Sequence, residues 1–559
     1  MEKIFRIFSK EYGNVNQAAL LLGSFAFLSQ ILGLFRDRSF AHFIGPSPQL
    51  DAYYAAFRIP DLIFISIASL ASITVLIPFL LGKMSGESVT AEARKFLDDI
   101  FTVFFLAMIG VSVLAFLLMP YLIPFIAPGF ETAMQSQVIN LSRIMLLSPI
   151  LLGLSNLFGS VTQLFRKFFI YALSPVFYNL GIILGVLFLF PIFGIFGLAF
   201  GVVLGAFLHF IIQALASFSC GFAPRFSRSV NFSDVKQAVL ISFPRTLGLS
   251  FNNIALILIL ALASYLKGGS ISIFNLSLNL QSVPLGIIGL SYAVAAFPTL
   301  TKSFSEGQVK EFENHLKLAA RQIIFWSLPV TFLFIVLRAQ IVRVILGSGS
   351  FSWENTRLVA ASLAVFSISI MAQGLIALFA RAYYARGNTR RPLFINLFAS
   401  LSIVLFSFLF LYIFKHNPSF LYFIESILKV SDIPGTEVLM LPLAYSLGTI
   451  INFALLWFFI KKDFMGPEHF IFKTFFQSLS ASFFIGVVAY LSLNVLSPIF
   501  GTTTFWGIFL QGFLSGIAGI LAGVLTLYLL KNEELKDLVE TLKTKFWKAG
   551  VIAPPQEGL

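Results

Sequence analysis

Apolar runs of about twenty residues recur along this chain, and a helix of that length spans the roughly 30 Å hydrocarbon core of a bilayer. Fourteen can be drawn, at 15–35, 52–82, 99–122, 137–163, 170–190, 193–217, 238–264, 270–300, 318–337, 356–380, 392–414, 438–460, 471–493 and 504–530. Backbone N–H and C=O groups find no water in lipid, so each run has to satisfy them internally as a helix. The expected fold class is therefore an all-α polytopic membrane protein with about fourteen transmembrane helices. Composition agrees: 58% of residues are hydrophobic and 11% charged, against about 25% charged in soluble domains. The first run lacks a small-residue cleavage site and leads into Arg36, so it reads as a retained helix and not as a signal peptide.

Most of the 38 Lys and Arg residues fall in alternate loops, on the side that would carry both termini. The positive-inside rule makes that side, and both ends, cytoplasmic. The net charge of +13 then belongs to basic loops lying against anionic phospholipid. No basic cluster is interleaved with aromatics in the manner of single-strand binders, and no nucleic-acid partner is expected.

Landmarks repeat about 220 residues apart. Leu76-Ile77-Pro78 has a counterpart in Ala296-Phe297-Pro298, and Pro175-Val176-Phe177-Tyr178-Asn179 has one in Pro392-Leu393-Phe394-Ile395-Asn396, each of the latter pair following a basic loop. Internal repeats of this kind are common in transporters. The expected organisation is two pseudo-symmetric six-helix bundles, 1–220 and 228–462, two additional transmembrane helices in 463–530, and a cytoplasmic amphipathic tail at 531–559.

Several features read as packing. Gly197, Gly201 and Gly205 recur every four residues, as do the pairs Gly512/Gly516 and Gly519/Gly523, a spacing that lets helices approach closely. From Asn532 onward Leu535, Leu538, Val539, Leu542 and Phe546 share one face, the pattern of an interfacial or partner-binding helix. No enzyme site is evident. The five histidines (His42, His209, His315, His416, His469) are scattered, Cys220 is the single cysteine, and no glycine-rich loop precedes Lys and Ser/Thr, so neither a metal nor a nucleotide cofactor is expected.

Against this background the charges between Gly33 and Pro78 demand a reason. A charged residue at the centre of a membrane helix costs about 2.5–3.5 kcal/mol on insertion scales, and such residues normally face a water-filled cavity. In helical form Asp51, Tyr54, Arg58 and Asp61 share one face extending about 15 Å, and Pro60 removes a backbone bond within it. The stripe fits the wall of a transport path; the spacing of Arg58 and Asp61 also fits an internal ion pair that braces two helices. Arg36 has only Asp37 beside it. The eighth run carries Asn275, Asn279 and Ser282 on one face before Pro284, polar but uncharged. Candidate substrate-binding residues are Arg36, Asp37, Asp51, Arg58, Asp61 and Asn279. Arginine's planar fork suits phosphate oxygens.

At these residues the chain resembles the MurJ/MviN lipid II flippases of the multidrug/oligosaccharidyl-lipid/polysaccharide exporter superfamily. The matching words are Ile31-Leu32-Gly33-Leu34-Phe35-Arg36-Asp37, Leu50-Asp51-Ala52-Tyr53-Tyr54-Ala55-Ala56-Phe57-Arg58-Ile59-Pro60-Asp61-Leu62 and Ser174-Pro175-Val176-Phe177-Tyr178-Asn179-Leu180-Gly181, with Pro284-Leu285-Gly286-Ile287 and Phe297-Pro298-Thr299-Leu300 further on. The resemblance implies two six-helix lobes around a central cavity, a further helix pair forming a groove for the lipid tail, and outward movement of an undecaprenyl-diphosphate-linked saccharide-peptide by alternating access. It implies the cytoplasmic (inner) membrane as location and cell-wall synthesis machinery as a partner.

Arg36 and Asp51 occupy positions that the family uses functionally. Gln30 stands where a cavity arginine is usual, Phe64 and Ile65 replace an Arg-Arg pair, Ser69 and Leu70 replace Glu-Gly, and Asn279 replaces an arginine. The cavity is therefore expected to be less cationic than the family's, with Arg58, Arg143 or Arg245 available to compensate. For sodium coupling the polar residues at hand are Asn252, Asn253 and Asn396. The leading expectation is a lipid II flippase; the alternatives are export of another polyprenyl-linked saccharide or amphipathic compound, or a non-transporting membrane scaffold.

Overall fold

The computed structural model describes residues 15–68, 80, 90–165, 167–464, 470–501 and 503–542, and the regular elements among them are helical. In chain order they are α1 (Val15–Phe43), α2 (Pro48–Ile63), α3 (Ala91–Ile126), α4 (Thr132–Met145), α5 (Leu147–Leu164), α6 (Phe168–Leu184), α7 (Ile195–Ser219), α8 (Phe232–Ala263), α9 (Ser270–Pro284), α10 (Ser291–Ser305), α11 (Val309–Val336), α12 (Arg338–Leu346), α13 (Trp353–Ser367), α14 (Ile370–Ala385), α15 (Arg390–His416), α16 (Pro418–Leu428), α17 (Met440–Phe464), α18 (Phe470–Phe500), α19 (Phe505–Leu529) and α20 (Glu533–Leu542). Among the described residues eleven helices are long and apolar enough to cross a membrane, or twelve if α13 and α14, bent by 44°, are one span. Of the other expected spans, 15–35 falls on α1. The span at 52–82 begins on α2 and then runs, with Ser69, Leu70 and Pro78, outside the described residues, as does the tail beyond residue 542.

The run at 356–380 reads from sequence as one continuous helix, and the structure corrects this. Its break lies in Ser367-Ile368-Ser369, where Ser367 Oγ donates to Leu363 O and Ser369 Oγ to Phe366 O. Serine hydroxyls that bond local carbonyls compete with the helical ladder and bend it.

The chain forms two compact units. Unit 1 comprises Met1–Leu280, Ile345–Ser362 and Thr389–Gly448; unit 2 comprises Gln281–Val344, Leu363–Asn388 and Thr449–Leu559. Within unit 1, α6 continues through a π-helical turn, Gly185–Leu189, and a short helical turn, Phe190–Phe193, to Gly194, where the chain reverses and α7 packs back on it; the glycine stripe of α7 explains how closely. A Cβ on Gly201 would lie 2.6 Å from the Cα of Gly185, and one on Gly185 would lie 2.4 Å from the Cα of Gly201. The backbones themselves are in contact, as the spacing of small residues predicts. Gly201→Val is expected to destabilise the protein by about 3 kcal/mol through overpacking, read as a lower melting midpoint in detergent. Gly110→Val, where a Cβ meets nothing within 4 Å, is expected to leave the midpoint in place.

In unit 2, α18 and α19 pack in the same way, with Gly519 and Gly523 against Ile485 and Ala489. The short α20 docks on this pair and on α11. Leu535 is buried with Phe325, Ala481 and Leu527. Beside it Arg321 binds both Glu533, at 2.7 Å, and the buried Glu534; Lys473 adds a bond to Glu533 at 3.0 Å and Thr474 one to Glu534 at 2.7 Å. Hydrogen bonds from Arg321 and Lys473 hold the Glu533 carboxyl below its ordinary value. Burial pushes the Glu534 carboxyl up, but its bonds to Arg321 and Thr474 outweigh this and leave it lowered as well.

A depressed carboxyl stabilises the docked state above the ordinary glutamate value of about 4.3, and that contribution is lost as pH falls through the lowered folded values. A ten-residue helix is marginal alone. Hydrogen exchange is therefore expected to show α20 protected at neutral pH and opened by acid. Arg321→Ala, which strands a buried carboxylate at about 3 kcal/mol, is expected to open it about a hundredfold at neutral pH.

Candidate functional site

The α2 helix starts at Ser47, whose hydroxyl accepts from Leu50 N, with Pro48 in its first turn. Pro60 interrupts the ladder, and a π-helical turn, Phe64–Ala68, follows at once. The same device recurs after Pro284 of α9, where the π turn is Leu285–Leu290. π turns inside helices are rare and are frequent at functional sites.

Alongside α2 in unit 1 lies a cavity of about 270 Å³. Of the six candidate residues, Arg36 of α1, Arg58 and Asp61 of α2 and Asn279 of α9 line it, together with Tyr53, Tyr54, Phe64, Tyr178 and Asn275 among others. Arg36 is held from two sides. Its Nε and Nη2 donate to Asp37 Oδ1 at 3.0 and 2.9 Å, and its Nη1 to Asn179 Oδ1 at 3.3 Å. Asn179 in turn donates to Ser29 Oγ at 3.1 Å, and Asn279 donates to Asp37 Oδ2 at 3.0 Å. The network ties α1, α6 and α9 together. Asp37 is 2% exposed, so it serves the cavity by fixing and neutralising Arg36.

Arg58 is engaged differently. Its Nη2 donates to Asn275 Oδ1 at 2.6 Å, and its Nε, though buried, has no partner. A close Arg58–Asp61 ion pair does not form among the described residues: Arg58 Nη2 bonds the neutral Asn275, and the two charges interact only at longer range. Among the described residues Asp61 makes no hydrogen bond or ion pair, and the buried Tyr54 hydroxyl has no hydrogen-bond partner.

Asp51 is placed elsewhere. It is buried and does not line the cavity. Its Oδ2 accepts from Gly269 N at 2.7 Å, and its Oδ1 accepts from Ser272 N at 2.7 Å and Ser272 Oγ at 2.5 Å. A carboxylate of α2 thus caps the first turn of α9, where unsatisfied N–H groups and the helix dipole favour an anion. Gly269 has φ +97°, a conformation that favours glycine and here aims its N–H at Asp51. Asp51, expected to contact substrate, forms in this structure a clasp between two helices.

Of the possible compensating arginines, Arg143 donates to Phe116 O and lies 4.6 Å over the Phe116 ring, away from the cavity; the Arg245 side chain lies outside the described ones. Phe64 and Asn279, at positions where the family resemblance implies arginine, do line the cavity. Asn179, Tyr178 and Ser148 were not among the candidates. The signal for Asn179 was its place as a polar residue in an apolar helix, four residues after Pro175.

Comparison with known proteins bears on the site. The profile of the family described as lipid II flippase MurJ matches residues 40–510, so that Asp51, Arg58, Asp61 and Asn279 lie inside the match and Arg36 just before it. A Rhizobium tropici protein named "Probable lipid II flippase MurJ" is 27% identical over 397 residues, covering 68% of this chain and 73% of that one. A Burkholderia cenocepacia "Lipid II flippase MurJ" is 24% identical over 387 residues, covering 68% and 75%. Among solved structures, "Lipid II flippase MurJ, inward closed conformation" has the same fold, with a TM-score of 0.71 at 22% identity over 93% of this chain and 100% of that one. An inward-facing multidrug resistance transporter of the MATE family gives 0.61 at 16% identity over 79% of this chain and 98% of that one.

Proposed function

Because the chain belongs to the lipid II flippase MurJ family, we propose that it flips lipid II, an undecaprenyl-diphosphate-linked saccharide-peptide, across the cytoplasmic membrane by alternating access. The observation that carries this reading is the cavity of unit 1, where Arg36 and Arg58 stand in the wall among transmembrane helices. At about 270 Å³ it is smaller than the roughly 300–1,000 Å³ of drug-sized pockets, so it takes part of the head group. We assign that part to the diphosphate. Arg36 arrives already oriented by Asp37 and Asn179, and the free Nε of Arg58 is available for a phosphate oxygen. Asn275 and Asn279 supply neutral hydrogen bonds.

In this reading Asp51 is part of a gate: its clasp on α9 holds one access state and breaks in the other. The bundles 1–220 and 228–462 act as the two lobes, and the pair in 463–530 guides the lipid tail. Both termini are cytoplasmic. The basic cytoplasmic loops lie against anionic phospholipid, and the tail at 531–559, anchored through α20, offers the cell-wall synthesis machinery a docking surface. The activity is transport, not catalysis.

The test is translocation of a fluorescent lipid II analogue in proteoliposomes, followed by accessibility of the head group to an external quencher. Transfer by the parent protein that is lost on Arg36→Ala supports the reading; no transfer by a well-folded parent overturns it.

A further inference from the structure

One charge in the cavity is left unused by a diphosphate. Arg36 is neutralised by Asp37, and Arg58 is satisfied by an anion. Asp61 has no such answer: it lines the same cavity, and among the described residues it makes no hydrogen bond and no ion pair, with only the nearby charge of Arg58 to offset it. A carboxylate three residues from an arginine on one helix is well spaced to pair with it, and here the arginine is turned to Asn275 instead. Apart from Arg36 and Arg58 the described lining of this cavity is apolar or neutral, with Pro60 of α2 and Phe64 of the π turn on either side of Asp61 in sequence. A carboxylate with no directly bonded cation among membrane helices is costly, and once a phosphate takes up the charge of Arg58 a second cation in the cavity is needed to answer it.

We propose, building on the flippase reading, that Asp61 receives an ammonium group of the cargo and selects head groups that carry one. The cavity then reads a zwitterion, with Arg58 on the anionic part and Asp61, about one helical turn further along α2, on the cationic part. Among the described lining residues Asp61 is the single carboxylate. A bare metal ion wants several oxygen ligands, whereas an ammonium donates three hydrogen bonds and is well served by one carboxylate and neutral acceptors such as Asn275 and Asn279.

The experiment uses the full-length protein in detergent and two synthetic probes, an undecaprenyl-diphosphate-linked disaccharide-peptide whose peptide amine is free or acetylated, with affinities measured in sodium and in choline buffers. The parent is expected to bind the free amine about tenfold more tightly, the worth of one charge-assisted hydrogen bond. Asp61→Asn is expected to bind the two probes equally, and Asp61→Glu to restore the preference. Equal binding of both probes by the parent, or a preference that survives Asp61→Asn, overturns the inference and leaves the flippase reading standing. Binding that depends on sodium and not on the amine, and loses that dependence in Asp61→Asn, also overturns it, since Asp61 then holds an inorganic cation. A well-folded parent that binds neither probe overturns both.

Discussion

Replacing Arg36 by alanine is expected to lower affinity for the lipid-linked diphosphate about a hundredfold and to stop transport. The size follows from what the side chain does. Two charge-assisted hydrogen bonds to phosphate oxygens contribute about 3 kcal/mol together, which is about a hundredfold in affinity. A second effect adds to it. With Arg36 gone, Asp37, 2% exposed, keeps among the described residues the hydrogen bond from Asn279 and stands just behind the wall as an unneutralised anion, repelling the group the cavity binds. Arg36→Lys separates the two contributions. A lysine still faces Asp37 but lacks the fork that reaches Asn179 at the same time, so it is expected to keep part of the affinity. Asn179→Ala, which removes the positioning contact of 3.3 Å and leaves the charge, is expected to cost less than either. Affinities for the diphosphate-linked probe in these three variants, with melting midpoints as a folding control, check the order.

Asp51→Ala is expected to open the clasp. The carboxylate satisfies two backbone N–H groups and one hydroxyl at the start of α9. Each buried donor left without an acceptor costs about 1–3 kcal/mol, and the loss of an anion from a helix N-terminus adds about 0.3–1 kcal/mol. A shift of about 3 kcal/mol moves a two-state equilibrium about a hundredfold. Asp51→Asn keeps a side-chain oxygen but not the charge and is expected to fall between. The readout is thiol labelling of Ser270→Cys in a Cys220→Ser background, since Ser270 is 2% exposed beside the clasp. Labelling by a water-soluble maleimide is expected to rise at least about tenfold with Asp51→Ala; an unchanged rate would show that the clasp holds nothing shut.

How much of this was legible in the sequence depends on whether the signal was local. The spans were, because lipid forces a continuous apolar helix. The glycines of α7 were, because a four-residue period puts them on one face whatever lies opposite. Arg36 and Asn279 were legible as cavity residues, since a polar side chain in an apolar helix has few other places to go. The partners were not. Arg36 meets Asn179 from 143 residues away in sequence, Arg58 meets Asn275 from 217 and Asp51 meets Gly269 from 218, and no spacing along one helix encodes such pairings. The local rule that puts Arg58 with Asp61 gave way to a tertiary contact. Asp51 was legible as a polar residue needing a partner and not in place: a carboxylate in the first turn of α2 serves a cavity or a neighbouring helix N-terminus equally well, and only the approach of α9 decides. The bend between α13 and α14 was missed because apolar content hides the serine hydroxyls that cause it.

The central claim, that this chain moves a lipid-linked peptidoglycan precursor, is tested most directly by rescue of a bacterial strain depleted of its own lipid II flippase. The parent is expected to restore growth, and Arg36→Ala at the same membrane level is expected not to. A parent that reaches the membrane at full level and fails to rescue would contradict the account.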